Sequence, residues 1–550
     1  MERKPFEQRF ASLKQEASTW ISIWKDIRNY ISPTRGFFEG DQANRGKAID
    51  HRTILDGTPL RAADNFANGL AAHLTSPSRP WWRPTIDDLD LMEFEPVKLW
   101  LGEVEKRMCA VQSGSNIYNA LHTDYGELGA FATSAMAVLE DRQDVMRGRN
   151  FTIGEYYIGC GADDRPNAFA MKYKRTVGQL VEEYGKNKVS QRVRVLYEKG
   201  SIDEWIDCIY VIQPNVQREQ GKVDNRNMPW VAVVWEEGSA PNTFLDVSGF
   251  NEFPILVSRW NVTGQNVWGN GSPGWTTLGD AKMLQKLRRD ELIGVEKVMD
   301  PPMQGDGTVD GNAITLPGGF TRSSAVQPNM GVRPAYQIQP DFAAIEGVIK
   351  ATQQALREGH FENLFLMLTM DQEAGRTAQE IVQRNSERLT MLGPLVERLY
   401  HEKLSPLIRR QFNIMWRAGV IPEPPPELEG RVINVELISV LAQAQKAVGT
   451  RAIDEMLTVV GAMAQGGYPN AADMIDGDEA IRVRSNMIGL PPKIIRAPEI
   501  VSQMRDARAK QQQQAAAADQ LERTAQVAKT ASETKLGQGS ALDALAGEPQ

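Results

Sequence analysis

The sequence is poor in the residues that usually announce chemistry. It has three cysteines and five histidines in 550 residues. Cys109, Cys160 and Cys208 stand far apart and form no CxxC pair. That points away from a disulfide framework or a thiolate metal site, and towards synthesis in a reducing compartment. His51, His73, His122, His360 and His401 are scattered singly, without HExxH or His–Cys spacing. They read as ordinary side chains rather than ligands. No run of about 18 apolar residues occurs, so no membrane-spanning helix is expected. The opening Met-Glu-Arg-Lys-Pro-Phe-Glu lacks the apolar core of a signal peptide. Positive charge is not in surplus: 62 basic against 70 acidic residues give a net charge of -8. A protein that grips nucleic acid tightly needs a basic surplus to neutralise phosphates, whereas one past which DNA slides does not. No GxxxxGKS/T motif is present, which excludes a P-loop ATPase.

What is there suffices for several cores. Hydrophobic residues make up 41% and charged residues 24%, and at about 150 residues per domain the length predicts three or four folded units. The first 125 residues read as helical. Trp20, Trp24, Ile27 and Ile31 share one helical face, stopped by Ser32-Pro33. Phe66, Ala67, Leu70, Ala71 and Leu74 share another, which ends before Pro77 and Pro80. From about 150 to 260, short stretches rich in β-branched and aromatic residues alternate with turns: Phe151–Cys160, Arg192–Tyr197, Trp205–Ile212, Trp230–Trp235 and Ile255–Trp260. A short helix near Val177–Tyr184 interrupts them. Helical spacing returns at Ala281, Leu284, Leu287, Leu292, Val295 and Val298, up to Asp300-Pro301-Pro302. The turn-rich stretch to Pro340 is long for a loop, and such loops are usually functional. Only Ala313–Leu316 in it reads as a strand fragment. A helix follows from Asp341 to Gly359, then a Met-rich stretch from Leu364 to Asp371. A long helix from Thr377, capped by the Thr377/Glu380 box, runs to about Gly419. Its apolar stripe is Ile381, Leu389, Leu392, Val396, Leu399, Leu407 and Met415. Pro394 and Pro406 lie inside it and predict a kink at one or both. More helices follow to Ile488. An Ala- and Gln-rich helix comes next, and a Gly- and Ala-rich tail after Leu536 is expected to be disordered.

Four motifs invite chemistry. Gly269-Asn270-Gly271-Ser272-Pro273-Gly274 matches GxGxxG between a strand and a helix. Pro273 removes an N–H from any phosphate cradle and no βαβ repeat precedes it, so a glycine-rich domain hinge is the better reading. Asp306 and Asp310 with their glycines faintly resemble a calcium loop, but Pro317 fills the bidentate glutamate position. Asp473, Asp476, Asp478 and Glu479 read as a solvated helix junction rather than an acid–base pair. Trp81 and Trp82, bracketed by Pro80 and Pro84, read as core anchors rather than a base-stacking platform.

The order of these pieces resembles the head-to-tail connector, or portal, proteins of short-tailed, podovirus-type bacteriophages. The residues that carry the resemblance are Tyr30-Ile31-Ser32-Pro33, Leu70–Pro77 leading into Pro80-Trp81-Trp82, Gly269–Gly274 with the helix through Leu287, and Gly375–Glu380 with Leu392-Gly393-Pro394 and Pro406. The resemblance covers about residues 10–500. It implies an α+β fold, mainly α, with a portal architecture of wing, stem, clip and crown, a β-rich wing subdomain and a long kinked helix. Residues 1–125 would be the helical part of the wing and 126–274 its β-rich part. Residues 275–299 and 341–360 would be paired stem helices, with 300–340 between them as the clip. Residues 361–376 would be a channel loop, 377–420 the kinked helix, 421–504 a helical crown and 505–550 a low-complexity helix and tail.

The implied site residues are not catalytic, and no cofactor or metal is implied. The channel loop would present Met367, Thr369, Met370, Asp371, Gln372, Glu373 and Arg376. Its methionines are read either as flexible apolar contacts with DNA or as buried packing. Gly393, Pro394 and Pro406 would form the helix kink. Asp306, Asp310, Phe320 and Arg322 would lie on the clip, against neighbouring subunits, terminase and tail. The implied partners are further copies of the chain in a ring of about twelve and double-stranded DNA passing without sequence specificity. Others are the terminase large subunit, tail adaptor proteins, and scaffolding, major capsid and internal core proteins. A mixed or acidic channel fits that role because it repels phosphates and keeps friction low. The alternatives are another virion component such as a tail-tube or adaptor protein, a nucleotide-binding enzyme using the Gly269 loop, and a peripheral nucleic-acid-binding protein, which the charge disfavours.

Overall fold

Amphipathic spacing at the N-terminus builds three helices, α1 (Lys4–Ser18), α2 (Ile21–Tyr30) and α3 (Thr58–Leu74). In the computed structural model the described residues are 2–38, 54–88, 94–301, 341–365, 392–438, 456–463, 475–487 and 498–533, apart from isolated positions, with short pieces at 41, 91–92, 303–304 and 333–334. The α2 stripe is as expected: Trp24, Ile27 and Ile31 are buried, and Trp20 packs against the same core. Along α3, Phe66, Ala67, Leu70 and Leu74 are buried. Arg3 ties the N-terminus to a distant turn, donating to Ser239 Oγ at 2.8 Å and to the Ala240 carbonyl at 2.9 Å.

Trp81 and Trp82 are core residues, 1% and 0% exposed. Trp82 opens β1 (Trp82–Thr85). The helices α4 (Glu95–Gly114) and α5 (Ile117–Phe131) follow, so the expected boundary at 125/126 falls inside α5. Then come β2 (Thr133–Asp141), β3 (Val145–Phe151), β4 (Tyr156–Cys160) and β5 (Pro166–Thr176). After two short helices, α6 (Val177–Tyr184) and α7 (Gln191–Glu198), come β6 (Trp205–Pro214), β7 (Trp230–Glu236), β8 (Asp246–Phe250) and β9 (Ile255–Arg259). The β-rich region therefore starts at 133. Strands β4 to β8 form an antiparallel five-stranded meander, and β3-β2-β9 an antiparallel three-stranded sheet. The two sheets share one core with α1 and α2.

One expected strand is a helix. Arg192–Tyr197 alternates Arg-Val-Arg-Val, yet it lies in α7. Ser190 caps that helix by accepting from Val193 N–H. Only Val193 of the helix is buried, in a small second core with Val177, Leu180, Cys208 and Leu245. A hydroxyl cap and a single buried position outweighed the alternation.

The GxGxxG motif is neither a phosphate loop nor a hinge. It is a packed joint over the end of α5. That helix ends at Ala132 in the left-handed region (φ 62), and the Ala132 carbonyl accepts from Trp260 N–H at 2.8 Å. Gly269 lies directly on this carbonyl, where a Cβ would stand 2.1 Å from its oxygen. A Cβ on Gly274 would stand 2.4 Å from the Ala130 oxygen. Ser272, fully buried, donates to that same oxygen at 3.1 Å and caps the one-turn helix α8 (Pro273–Thr276). Gly269 and Gly274 serve close backbone approach, and Gly271 a left-handed turn (φ 73).

From this joint α9 (Leu278–Met299) leads outward and α10 (Phe342–Gly359) returns against it. The two-residue strands β10 (Met303–Gln304) and β11 (Arg333–Pro334) pair antiparallel beyond them. Further along the described residues runs a composite helix: α11 (Gly393–Leu399), a π-helical turn (Tyr400–Leu404) and α12 (Ser405–Arg417). It ends at Gly419 in the left-handed region, as its sequence predicts. Then β12 (Asn434–Leu437) pairs antiparallel with β1, Trp82 opposite Leu437. A strand thus stands where only helix was expected, because Val435 and Leu437 alternate inward. Helix α13 (Gly477–Met487) starts on Asp476, whose carboxylate accepts from the backbone N–H of Asp478 and Glu479. Asp476 is thus a helix cap with Asp478 and Glu479 in the first turn, while Asp473 lies outside the described residues. A second unit, 88–100, 424–430 and 490–550, contains α14 (Pro498–Glu533), a polar, Ala- and Gln-rich helix. No helix among the described residues is long and apolar enough to cross a membrane.

Candidate functional site: a composite helix held by buried charge

The composite helix buries Leu392, Val396, Leu399, Leu407, Ile408, Ile414 and Met415. Two prolines mark it. Pro394 sits in the first turn of α11, where its missing N–H leaves no intrahelical bond unmade. Pro406 is different. It has no N–H to give the carbonyl of Glu402, and its ring crowds that carbonyl. The wider π turn immediately ahead relieves both, with Ser405 N–H reaching back to the Tyr400 carbonyl. A π turn over Tyr400–Leu404 thus directly precedes Pro406.

That turn carries the main electrostatic feature of the fold. Glu402 and Lys403 are adjacent, and both are used. Glu402 accepts from Arg259 three times: the backbone N–H at 2.8 Å, Nε at 3.1 Å and Nη2 at 2.7 Å. Lys403, fully buried, donates to Asp124 of α5, also fully buried. Ser134 of β2 donates to the other Asp124 oxygen at 2.9 Å and lies 2.8 Å from Ser258 of β9. Burial pushes the Lys403 ammonium down, and Asp124 holds it up. Further along, Arg410 donates to the Val138 carbonyl at 2.6 Å and to Glu252 at 3.3 Å. Arg417 reaches Glu140 at 2.7 Å. Gln411 is bonded to Gln112, which accepts from the Trp82 indole at 3.3 Å. Charged or amide groups at four levels thus fix the register of this helix on the β3-β2-β9 sheet and α4–α5. A bare buried ion pair stabilises little, but one whose spare lone pairs are filled fixes a unique arrangement and is costly to break.

A second hub joins the paired helices to α3. Asp56 accepts from Thr58 N–H and Oγ1 at 2.9 and 2.6 Å, from Gln353 at 2.7 Å and from Arg288 at 3.1 Å. Burial pushes this carboxyl up, but these donors outweigh it and lower it to about 2. Gln285 of α9 accepts from the N–H groups of Leu55 and Asp56 and donates to the Asp56 carbonyl. At the far end of α10 an aromatic group takes over. Phe361, in the left-handed region (φ 59), stacks on Trp260, Phe365 lies edge-on to Phe66, and His73 stacks on Phe365.

A third buried acid is Glu127. It accepts from Thr152 Oγ1 at 2.9 Å and from Ile153 N–H at 3.3 Å, with Arg35 at 3.6 Å. Burial raises it to about 7 against the pull of Arg35 and these donors.

Of the expected site residues, Gly393, Pro394 and Pro406 lie on the composite helix. Met367, Thr369, Met370, Asp371, Gln372, Glu373 and Arg376, and Asp306, Asp310, Phe320 and Arg322, lie outside the described residues, as do Ala313–Leu316 and the Thr377/Glu380 box. No cluster of potential metal ligands exists among the described residues, and the three cysteines are free thiols. The Asp124–Lys403, Arg259–Glu402 and Asp56 groups were not anticipated. For Lys403 the signal was present: it continues the apolar stripe four residues after Leu399 and four before Leu407.

These features describe a scaffold built to hold register. The model of the family "Bacteriophage head to tail connecting protein" matches residues 3–495. The chain is 37% identical over 553 residues to "Portal protein" of Salmonella phage epsilon15, covering 100% of this chain and 99% of that protein. It is 37% identical over 528 residues to "Probable portal protein" of Bordetella phage BPP-1, covering 96% and 95%. The neck of an empty gene transfer agent particle aligns over 80% of this chain and 93% of its own at 13% identity and a TM-score of 0.36, a likeness too loose to build on. The chain belongs to the bacteriophage head-to-tail connecting protein family. It is accordingly a structural component of the virion rather than an enzyme.

Proposed function

We propose that the chain is the subunit of a portal ring at one capsid vertex, through which double-stranded DNA is packaged and ejected. It would be assembled in the host cytoplasm, and the ring would receive the terminase and later the tail adaptor. Full-length similarity to phage portal proteins carries this reading. The paired helices α9 and α10 support it. Beyond their mutual contact they leave Leu292 58%, Val298 47%, Met299 81% and Val348 49% exposed. A lone water-soluble helix pair does not leave so apolar an end bare, whereas neighbours in a ring would cover it.

In this reading residues 1–274 are the wing, α9 and α10 the stem, 300–340 the clip, 361–376 the channel loop and 421–504 the crown. The composite helix, with its π turn at Pro406 as the kink, connects channel to wing. The channel-loop residues Met367 to Arg376 and the clip residues Asp306, Asp310, Phe320 and Arg322 keep the roles expected above. The net charge of -8 suits a conduit that must let phosphates pass.

Light scattering and negative-stain imaging of the purified chain test the proposal. Rings of about a dozen copies with a central hole, reduced to monomers by Leu292→Glu with Val298→Glu, are expected. A chain that stays monomeric at all concentrations and salts, also with scaffolding and capsid proteins present, would refute it.

A further inference from the structure

Residues 32–38 leave α2 as a strap that crosses α5 and the turn between β3 and β4. It lies on α5 at Gly126, where a Cβ would stand 2.1 Å from Arg35 Nη2. It lies on the turn at Gly154, where a Cβ would stand 2.2 Å from the Phe37 oxygen. Arg35 Nη1 donates to the Thr123 carbonyl at 2.8 Å, Gly36 N–H to Thr152 Oγ1 at 2.6 Å and Phe37 N–H to the Ile153 carbonyl at 2.9 Å. At the far end Asp41 accepts from Phe38 N–H at 3.0 Å and from Arg28 at 2.8 Å. Glu127 is sealed beneath the crossing, 3% exposed. The two residues that hold the strap also hold the acid, since Thr152 Oγ1 and Ile153 N–H both bond its carboxyl. Four other titratable groups surround it. Arg35 comes from the strap, at 3.6 Å. Asp124 lies one turn earlier on α5 and is engaged by Lys403. Tyr156 of β4 has a buried hydroxyl without a hydrogen-bond partner among the described residues. Glu155, half-buried on the same turn, interacts with Arg149.

We infer that the strap is a proton-linked latch: it shuts over Glu127 while that carboxyl keeps its proton, and opens as the proton is released to the surrounding water. Shutting takes the carboxyl out of water. An ionised carboxylate in that place has one guanidinium at 3.6 Å, which already spends a nitrogen on the Thr123 carbonyl, and a buried charge so loosely paired is costly. The protonated form needs no counter-charge. It can reverse its 2.9 Å contact with Thr152, whose oxygen has lone pairs for both the carboxyl O–H and Gly36 N–H. Burial accordingly raises the shut carboxyl to about 7, against Arg35 and its donors, whereas in water it titrates near 4.5. Below pH 4.5 the carboxyl is protonated both shut and open, and closure is complete. Closure weakens as pH rises from 4.5 through 7 and then levels off, because above 7 both forms are ionised. Tyr156, pushed well above its ordinary range by burial, stays neutral throughout.

Hydrogen exchange of the full chain, read by mass spectrometry at pH 5, 6 and 7.5 and divided by the intrinsic rate at each pH, tests the latch. The peptide over 32–38 should exchange roughly 50-fold faster at pH 7.5 than at pH 5 after that correction. At every pH it should exchange well ahead of β6, which marks opening of the whole fold. Glu127→Gln, neutral at every pH and able to donate to Thr152, should hold the strap at its pH 5 level throughout. Glu155→Gln should leave the pH dependence in place. Arg35→Met, which removes the pull on the carboxylate, should move the range of opening to higher pH, and it keeps the test alive if Glu127→Gln does not fold. Strap exchange that is the same at all pH values, or that only keeps pace with β6, would overturn the inference. So would a dependence that survives Glu127→Gln, one that disappears with Glu155→Gln, or a range that Arg35→Met leaves unmoved.

Discussion

Replacing Lys403 by methionine keeps the unbranched apolar stem of the side chain but deletes its charged end. Asp124 then remains fully buried with Ser134 as its donor. Breaking a buried pair from one side costs about 3–5 kcal/mol, because the remaining charge is uncompensated. For a domain of 150–250 residues that corresponds to a fall in melting temperature of roughly 6–20 °C. Replacing both partners, Lys403→Met with Asp124→Leu, should recover most of the loss, since a well-packed apolar pair is about as stable as the ion pair it replaces. The assay is a double-mutant cycle read by near-ultraviolet circular dichroism and scanning calorimetry at a fixed heating rate. A single variant within about 2 °C of the parent, on the scale of roughly 1 kcal/mol or less, would refute the account of Asp124 as a buried, uncompensated charge. A double variant as unstable as the single one would show that lost packing, not lost charge, sets the cost.

Glu127, raised to about 7 from 4.5, binds its proton more tightly folded than unfolded. Its contribution is complete below pH 4.5 and is lost as pH rises through 7, a fall of about 3 kcal/mol. Glu127→Gln should flatten that slope between pH 5 and 8 in melting curves, and an unchanged slope would contradict the assignment. Asp56, lowered to about 2, has the opposite sign: its stabilisation holds above pH 3.8 and disappears as pH falls towards 2. Asp56→Asn should be less stable than the parent at neutral pH and approach it in acid, measured by urea unfolding at pH 7 and 3. Gly269→Ala places a methyl 2.1 Å from the Ala132 oxygen. It should lower stability by about 2 kcal/mol or more through forced backbone movement, whereas Gly279→Ala, in open space on α9, should not lower it.

Much of the helical framework was legible because burial follows a 3.6-residue period. The stripes Trp24–Ile27–Ile31 and Phe66–Leu70–Leu74 follow from spacing alone. The tryptophan pair declared itself through the prolines on either side. The β meander was partly legible. Trp205–Ile212 and Trp230–Trp235 stood out through branched and aromatic residues, while β2, opening Thr-Ser-Ala-Met-Ala, carries small residues that suit a crowded sheet face and mimic a helix. Arg192–Tyr197 misled because its Val193/Val195 alternation mimics a strand, while only Val193 is buried in α7. The charged anchors could not be read directly. Asp124 and Lys403 are 279 residues apart, and nothing local says that an aspartate on one helix meets a lysine on another. A lysine inside an apolar stripe was the available hint. The channel and clip assignments came from family resemblance and not from any property of those residues.

The pairing of β1 with β12 also bears on how the chain is made. Arg83 and Glu436, which meet across that ladder, are 353 residues apart in sequence. At a synthesis rate of about 5–20 residues per second, roughly 20–70 s separate the emergence of the two strands from the ribosome. During that interval Trp81 and Trp82 have no partner strand, and the Gln112 amide that will accept from Trp82 has yet to meet Gln411. The apolar segment around these tryptophans therefore stays without its partner strand until residue 437 has been made.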